Sequence, residues 1–322
     1  MIAQGPVTSR FARALNDYVG LPEGVVTSSG TAAITLVLRA LRLDAGGDVI
    51  VPTYVCRSVG DAVGEAGLKV RLCDVGADWN VTAESVASVL GKRTVAIIVP
   101  HVFGITQDVS AFEQFGVPVV VDACQSFGTL NGQVIGTSGT ASVFSFNAIK
   151  CLTTGEGGYV TSSDPQLLER MHELANGHQS AFRRFFSPMT DMQAALGLRQ
   201  LAAYDDFLAR RRFLADRYFT ALMDTGVTLP SRVRDRSMFF RFPVLTDRVR
   251  FEDTQAEFAR RGVAVRRGVD ALLHRTVGQP SDGFPIAERL FRDTVSIPIY
   301  PALTDDEQDK VVEACLAVWS TR

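Results

Sequence analysis

The chain has 322 residues, 46% of them hydrophobic, and a formal net charge of −2 at pH 7. This length supports a large core and predicts two domains. The near-neutral charge and the lack of a basic tract argue against nucleic acid or a membrane surface as a partner. No run approaches about 18 consecutive apolar residues, and the opening stretch, MIAQGPVTSRF, lacks the apolar segment of a signal peptide.

Cysteine usage indicates the compartment, and histidine spacing bears on metal binding. The cysteines are odd in number and show no CxxC spacing: Cys56, Cys73, Cys124, Cys151 and Cys315. That pattern is typical of reduced thiols, so we expect a cytoplasmic protein. The four histidines have no ligand-like spacing, and we expect no metal site.

The first strand–turn–helix unit is predicted at residues 25–41, VVTSSGTAAITLVLRAL. A short strand ends at Val26, the small residues 27–30 form a turn, and helical periodicity begins at Thr31. Free N–H groups at this helix start, beside hydroxyls, predict an anion site suited to a phosphate. Similar turns also cap helices that bind nothing, and the stretch lacks the glycine patterns of a P-loop or a dinucleotide fold.

Strands and helices then alternate. Strand-like runs lie at 48–53, 69–75, 94–102 and 117–122. Helical stretches lie between them at 57–67, 83–90 and 108–115. This alternation predicts an α/β fold in which a parallel sheet has helices on both faces.

Asp122 follows the last of these strands, VPVVV, directly. Such a run is typical of a strand buried on both faces of a parallel sheet. A carboxylate at its carboxyl end is costly unless it meets a cation, and ligands bind along that edge. An isolated aspartate at such a place is more often a turn or cap residue.

Residues 144–160, FSFNAIKCLTTGEGGYV, place Lys150 between two apolar runs. A lysine held between buried strands loses hydration, which favours its neutral, nucleophilic amine. Taken alone, a solvated lysine in a hairpin loop is the commoner case. A phosphate cradle, a buried carboxylate and a buried lysine at three strand ends are, however, what pyridoxal phosphate requires.

The remainder of the chain predicts a smaller α/β domain. Helices are expected at 165–176 and along a long run at 189–223. Beyond it we expect strands at 238–245, 263–268 and 294–299, a helix at 251–261 and a closing helix from Thr304. The predicted domains are residues 1–208 and 209–322.

Six segments resemble the DegT/DnrJ/StrS family of pyridoxal-phosphate aminotransferases. They are SSGTAA (28–33), VPTYV (51–55), DACQS (122–126), FSFNAIK with TTGEGG (144–158), MTDMQAALGLRQL (189–201) and IPIYPALTDDEQDKV (297–311). The resemblance implies fold type I of the aspartate-aminotransferase class. That fold is α/β, with a large domain built on a mixed, mostly parallel sheet and a smaller C-terminal domain.

The same resemblance implies roles for individual residues. Lys150 matches the lysine that forms a Schiff base with the cofactor and then moves the proton, and Asp122 matches the partner of the pyridine nitrogen. Gln125 matches a residue near the ring hydroxyl and the substrate. The remaining cofactor-binding positions are Gly30, Thr31, Ala32 and Ser145 for the phosphate and Cys56 over the ring.

Departures from the family pattern bear on how the cofactor is held. Cys56 occupies the place of an aromatic ring, which predicts a looser hold on the outer face of the cofactor. The segment that normally reaches the partner's phosphate reads AFRRFFSP at 181–188, so either Arg183 or Arg184 substitutes or the interface contributes in a different way. Relatives complete their sites with a second subunit, and we therefore expect a homodimer with shared active sites.

The resemblance implies transfer of an amino group from glutamate or glutamine to a keto group of a sugar-like or natural-product acceptor. The alternative is another pyridoxal-phosphate reaction on the same scaffold, such as decarboxylation, elimination or carbon–carbon bond formation. Lys150 argues against the dehydratase branch, in which histidine replaces the lysine. A non-catalytic regulator is disfavoured because Lys150, Asp122 and Thr31 are all present.

Overall fold

The computed structural model describes residues 5–20, 23–130, 133–135, 137–177, 187–246 and 250–320. The strands within these ranges are β1 (Val25–Thr27), β2 (Asp48–Pro52), β3 (Lys69–Cys73), β4 (Thr94–Pro100), β5 (Val119–Asp122), β6 (Thr129–Leu130), β7 (Gln133–Val134), β8 (Ala141–Ser145), β9 (Gly158–Thr161), β10 (Phe242–Leu245) and β11 (Thr294–Ile297).

The helices of the same ranges alternate with these strands in the first half of the chain. They are α1 (Pro6–Val19), α2 (Gly30–Ala40), α3 (Arg57–Glu65), α4 (Ala83–Ala87), α5 (Ser110–Glu113), α6 (Pro165–Asn176), α7 (Asp191–Leu201), α8 (Tyr204–Leu222), α9 (Phe251–Arg260), α10 (Leu273–Thr276), α11 (Pro285–Asp293) and α12 (Asp305–Trp319).

A seven-stranded sheet forms the centre, in the order β1-β9-β8-β5-β4-β2-β3. Five adjacent strands run parallel to one another, namely β8, β5, β4, β2 and β3. Strand β9 is antiparallel to both β8 and β1. The predicted α/β fold with a mixed, mostly parallel sheet is therefore confirmed.

Alternating side chains bury both faces of this sheet. Along β2, Val49 and Val51 join a core with α2 and α3, whereas Ile50 joins the opposite core with Phe11 of α1. The same period of two divides β4, β5 and β8 between the two cores. Strands buried on both faces explain the unbroken valine and isoleucine runs of the sequence.

A third core forms in the C-terminal part of the chain. It joins α8, β10, α9, β11 and α12 through side chains such as Tyr218, Phe242, Phe258 and Trp319. Residues 272–290 lie outside this third core, because Leu273 and Leu290 pack into the core of the large sheet. The C-terminal part thus contributes to both cores.

The predicted long helix at 189–223 is two helices. The start of α7 is tied to α1, since Asp191 Oδ1 accepts hydrogen bonds from the backbone N–H of Gly5 and Thr8 at 3.0 and 2.9 Å. Helix α8 packs instead on α12. The chain bends at Ala202–Ala203 because the two halves pack on different partners.

Two predicted strands are shorter than expected. Phe239 has a left-handed backbone (φ 49°), which interrupts the extended run at 238–245 and delays β10 until Phe242. The run at 263–268 forms a single antiparallel bridge, from Arg266 to Ser296. Both segments still pack beside β11.

Within the described ranges, no helix combines the length and the apolar character that crossing a membrane demands. The same ranges contain no cluster of histidine, cysteine, aspartate and glutamate that could hold a metal ion.

Candidate active site

Helix α2 begins at the carboxyl end of β1, pressed against β8. Ser29 caps it, and its Oγ accepts a hydrogen bond from the N–H of Ala32 at 3.1 Å. A Cβ atom on Gly30 would lie 2.8 Å from Ser145 Cβ and 3.1 Å from Cys124 Sγ. Glycine is therefore required for α2 to start this close to Ser145, and the two predicted phosphate positions are neighbours.

The first turn of α2 has backbone hydrogen-bond donors that are not used within the helix. The N–H groups of Gly30 and Thr31 have no acceptor among the described residues, whereas that of Ala32 is occupied by Ser29. Thr31 and Ala32 are both partly exposed. At the positive end of an 11-residue helix, these two N–H groups and the Thr31 hydroxyl form a cradle for an anion.

Strand register brings the predicted groups to one edge of the sheet. Thr27 of β1 and Ser145 of β8 both pair with Gly158 of β9, so Ser145 and the turn before α2 lie side by side. One strand further, Asp122 pairs with Val143. Since β5 and β8 are parallel, their carboxyl ends meet at this edge.

Asp122 is a buried carboxylate, with 7% of its surface exposed. Its Oδ1 accepts a hydrogen bond from the N–H of Cys124 at 3.1 Å. No lysine, arginine or histidine of the described chain forms an ion pair with it, and the Cys124 thiol is hydrogen-bonded to the same carboxylate. A protonated nitrogen on a ligand would supply the cation that this carboxylate lacks.

The thiol of Cys124 connects the predicted residues. Its pKa lies well above the ordinary value, first because it is buried and next because of the nearby Asp122 charge. Lys150 opposes this shift, and Cys56 adds to it. Asp122, Lys150 and Cys56 therefore lie within electrostatic reach of one thiol.

Lys150 lies on a tight loop after β8 and is partly exposed, so the expectation of a buried lysine is wrong. Its N–H donates to the carbonyl of Asn147 at 2.9 Å, and Thr154 N–H donates back to the carbonyl of Phe146 at 2.9 Å. The amine Nζ is 4.9 Å from the centre of the Phe240 ring and forms no hydrogen bond or ion pair with another described residue. The Lys150 amine thus has a ring contact but no polar partner.

Gln125 and Cys56 occupy the rim. Gln125 Oε1 accepts from the N–H of Phe103 at 2.8 Å, and this bond helps to hold Phe103 in a left-handed backbone (φ 61°). Cys56 is exposed at the N-cap of α3, where its Sγ accepts from Ser58 Oγ at 3.1 Å. Tyr54 is fully buried, with its ring edge-on to Phe103, so it cannot replace the missing aromatic ring over a ligand.

Sequence reasoning missed two residues of this site. Cys124 lies in the turn that follows β5, two positions after Asp122, and its closeness in sequence was the available signal. Phe240 lies far from Lys150 in the sequence, and no local pattern links the two residues. Arg183 and Arg184, expected to act across an interface, lie outside the described residues.

The arrangement fits pyridoxal phosphate. The cradle at Gly30 and Thr31 suits its phosphate, the buried Asp122 carboxylate without an ion-pair partner suits its pyridine nitrogen, and the Lys150 amine suits its aldehyde.

Comparison with known proteins agrees with this fit. The family model described as the DegT/DnrJ/EryC1/StrS aminotransferase family matches residues 1–316. A dTDP-4-dehydro-2,3,6-trideoxy-D-glucose 4-aminotransferase of Saccharopolyspora spinosa is 30% identical over 343 residues, which cover 97% of this chain and 89% of that relative.

Solved structures agree as well. DesV of S. venezuelae, in complex with a ketimine intermediate, has a TM-score of 0.92 at 27% identity and covers 100% of this chain and 91% of its own. The aminotransferase TlmJ of Streptoalloteichus hindustanus has a TM-score of 0.90 at 29% identity, over 98% of this chain and 91% of its own.

These matches confirm the predicted fold, the aminotransferase activity and the pyridoxal-phosphate cofactor. The chain belongs to the DegT/DnrJ/EryC1/StrS aminotransferase family.

Proposed function

We propose that this enzyme moves an amino group from glutamate or glutamine to a keto group of a sugar-like acceptor, with Lys150 and Asp122 as its catalytic residues. The observation that carries the proposal is the convergence of the Gly30 cradle, Asp122 and Lys150 around Cys124. Bound pyridoxal phosphate supplies an electron sink for the carbon that gains or loses the amino group.

Lys150 has two tasks. Its Nζ would hold the cofactor by condensing with the cofactor aldehyde and losing water. Once the substrate amine has displaced it, the free Lys150 amine would carry the proton that leaves the amino-bearing carbon of the substrate. The lack of a polar partner for Nζ among the described residues supports both tasks, because the amine is not committed elsewhere. Phe240 limits the positions that the amine can adopt and keeps water from one side of it.

Asp122 keeps a proton on the pyridine nitrogen. A buried carboxylate with no ion-pair partner stabilises a positive charge placed beside it far more than a solvated carboxylate would. The hydrogen bond from Cys124 N–H orients the carboxylate without neutralising it.

The other cofactor-binding roles follow the contacts. We assign the phosphate to the N–H groups of Gly30 and Thr31, the Thr31 hydroxyl and Ser145 Oγ, with Ala32 shaping the turn. We assign Gln125 to the rim beside the ring hydroxyl, where its amide nitrogen is available to donate, and Cys56 to the outer face of the ring.

The acceptor class rests on the relatives. The Saccharopolyspora spinosa relative is named for 4-amination of a dTDP-linked dehydro-sugar, and an Aneurinibacillus thermoaerophilus relative, 27% identical over 94% of this chain, is named a dTDP-3-amino-3,6-dideoxy-alpha-D-galactopyranose transaminase. A keto sugar is therefore the acceptor that we propose, in a pathway of amino-sugar or natural-product biosynthesis.

Three further assignments belong to the proposal. Free thiols at all five cysteines support a reducing compartment, which we take to be the cytoplasm. The third core, formed from α8 onward, supports a domain boundary near residue 208. Exposed apolar side chains on α7, Met192 and Leu196, support a homodimer that shares its active sites.

Absorbance spectroscopy tests the reaction type. The cofactor-loaded protein should be yellow, and glutamate should convert it to the pyridoxamine form in a single half-turnover. Lys150→Ala should keep the fold, measured by its Tm, but lose this conversion, whereas Lys92→Ala, which removes an exposed lysine, should behave as the wild type. Release of carbon dioxide or ammonia instead would favour decarboxylation or elimination.

A further inference from the structure

One face of a small sheet in the C-terminal part carries two arginines. Strand β10 pairs with β11, with Pro243 opposite Ser296, and Arg266 bridges Ser296 from the other side through bonds of 3.1 and 2.7 Å. Because side chains alternate along extended chains, Arg241, Ser296 and Arg266 share one face. Phe242, on the other face, is fully buried in the third core.

This face is the floor of a cleft of about 680 Å³. Ile149 and Phe240 line the cleft where it approaches the large sheet. Phe240 is the ring that contacts Lys150 Nζ, and Arg241 lies over the same ring at 5.8 Å. A molecule bound in the cleft would therefore lie against the ring that contacts the reactive amine.

The cleft carries an excess of positive charge. Its lining includes five basic residues and one acidic residue. They are Arg211, Arg241, Arg261, Arg266, Lys310 and Glu307. Glu307 is occupied by the cap of α12, where Oε2 accepts from the N–H of Thr304 at 2.9 Å. Arg261 is paired with Glu257 at 2.8 Å. Of the remaining basic residues, Arg241 and Arg266 lie on the floor of the cleft.

Neither Arg241 nor Arg266 has a carboxylate within 4.0 Å among the described residues. Arg241 is partly buried and donates Nη1 to the carbonyl of Arg267 at 2.7 Å. Burial lowers the pKa of Arg241 and Arg266 lowers it further, while Asp270 opposes them. Two like charges at a partly buried position are costly unless an anion joins them.

A third arginine adds to this charge from below. Arg211 is 4% exposed, and its Nη1 donates to the carbonyls of Phe239, Phe240 and Ile299 at 2.9, 3.2 and 3.0 Å. Its Nε has no hydrogen-bond partner in the described chain. The carbonyl bonds hold this cation in the wall of the cleft without neutralising it.

The backbone around Arg266 is held in place from two sides. On one side are the two bonds to Ser296. On the other, a Cβ on Gly268 would lie only 2.1 Å from the Tyr54 hydroxyl, so the loop packs directly on the large sheet through a glycine. The root of the Arg266 side chain is therefore preorganised toward the cleft.

We propose that Arg241 and Arg266 form a carboxylate-binding subsite beside Lys150. The inference rests on the proposed function, because transamination brings both the amino donor and the acceptor to Lys150. A planar guanidinium binds a carboxylate through two parallel hydrogen bonds, which the compact ammonium of a lysine cannot match. The carboxylate belongs to an amino donor such as glutamate or to a sugar acid acting as acceptor.

Calorimetric binding to the cofactor-loaded protein tests the subsite with three probes. Glutarate represents the donor, glucuronate represents a sugar acid, and glucose is the neutral control. We expect Arg241→Gln and Arg266→Gln to weaken the binding of at least one carboxylate by about tenfold or more. Arg260→Gln removes the same charge from an exposed arginine paired with Glu257 and should change nothing.

The pattern of losses identifies the source. If the variants bind only glutarate more weakly, the carboxylate belongs to the donor; if they bind only glucuronate more weakly, it belongs to the acceptor. Weaker binding of both probes shows a shared subsite. If neither affinity depends on either arginine, or neither probe binds the wild type, the proposal is wrong. It is equally wrong if thymidine diphosphate alone binds more weakly to the variants, since the arginines would then bind a phosphate.

Two further measurements separate the possible failures. Arg241→Lys keeps the charge and a donor for the Arg267 carbonyl, so it tests the subsite even if Arg241→Gln lowers the Tm. If glutamate fails to convert the wild-type cofactor to its pyridoxamine form, the proposed function fails. Probe binding then still decides whether the arginine pair binds a carboxylate.

Discussion

Gly30 and Ser145 meet where helix α2 starts against the end of strand β8, and a Cβ on residue 30 would lie 2.8 Å from Ser145 Cβ. This contact joins the anion cradle that we assign to the cofactor phosphate to the strand that leads to Lys150. The backbone of β8 is fixed in the sheet, so it cannot yield to a larger residue. Any added atom must move the start of α2 and its free N–H groups.

Gly30→Ala should therefore weaken the binding of pyridoxal phosphate more than it harms the fold. Overpacking a tight contact costs about 1–3 kcal/mol, and here the strain falls on the cradle. Fluorescence titration of the apoprotein with the cofactor measures the dissociation constant. Gly64→Ala in α3 is the matched control, because its Cβ would meet nothing within 4 Å. That change should leave cofactor affinity unaltered and raise stability by about 0.5–1 kcal/mol.

Local patterns predicted the residues at the edge of the sheet well. The small-residue turn before α2, the valine run before Asp122 and the glycine-rich loop after Lys150 each depend on neighbours within a few positions, and all three emerge at one edge. Sequence reasoning placed helix 165–176 at its observed bounds for the same reason, since Asp164 caps it and Gly177 ends it.

Long-range packing could not be read from the sequence. The break at Ala202–Ala203 contains neither proline nor glycine and arises because α7 packs on α1 and α8 on α12. Phe240 reaches Lys150 from about 90 positions away, through a backbone turn at Phe239 that no local signal marks. The charged floor of the cleft depends on how β10, β11 and Arg266 pair.

Asp122→Asn should retain the cofactor but slow turnover. Asparagine preserves the shape and can still accept from Cys124 N–H, yet it cannot hold a proton on the pyridine nitrogen. We expect kcat to fall by roughly 10²-fold or more, with a small change in the dissociation constant of the cofactor. Asp17→Asn, an exposed change on α1, is the control. Lost cofactor affinity with a normal kcat at saturation would instead reduce Asp122 to a packing role.

Glu288 should make the free energy of unfolding depend on pH. It accepts hydrogen bonds from Arg275 and Ser281 and contacts His274, which in turn contacts Thr53 Oγ1 at 2.8 Å beside β2. These contacts, that from Arg275 first, lower the pKa of Glu288 to about 2 from an ordinary 4.5. A lowered pKa in the folded state stabilises the protein above pH 4.5, and this contribution is lost as the pH falls toward 2.

Glu288→Gln should therefore lower the free energy of unfolding at pH 7, and its difference from the wild type should shrink between pH 4.5 and pH 2. Urea unfolding at pH 7, 4.5 and 3 measures this trend. Glu313→Gln, which changes an exposed glutamate on α12, should show no such pH dependence. A difference that stays constant across the three pH values would mean that shape rather than charge matters at Glu288.

Met192 should lie in a subunit interface. Its side chain is 69% exposed on α7, and Leu196, one turn further along, is 43% exposed. Two such side chains on one helix face form an apolar strip that a second copy of the chain would cover. Sedimentation should then give twice the 35.0 kDa of one chain, and Met192→Glu should shift the protein toward the monomer. Met223→Glu is the matched control, because Met223 is 67% exposed just beyond the last residue of α8. Equal dissociation by both variants would point to a general loss of stability, and a wild type that sediments as an active 35.0 kDa species would refute the dimer.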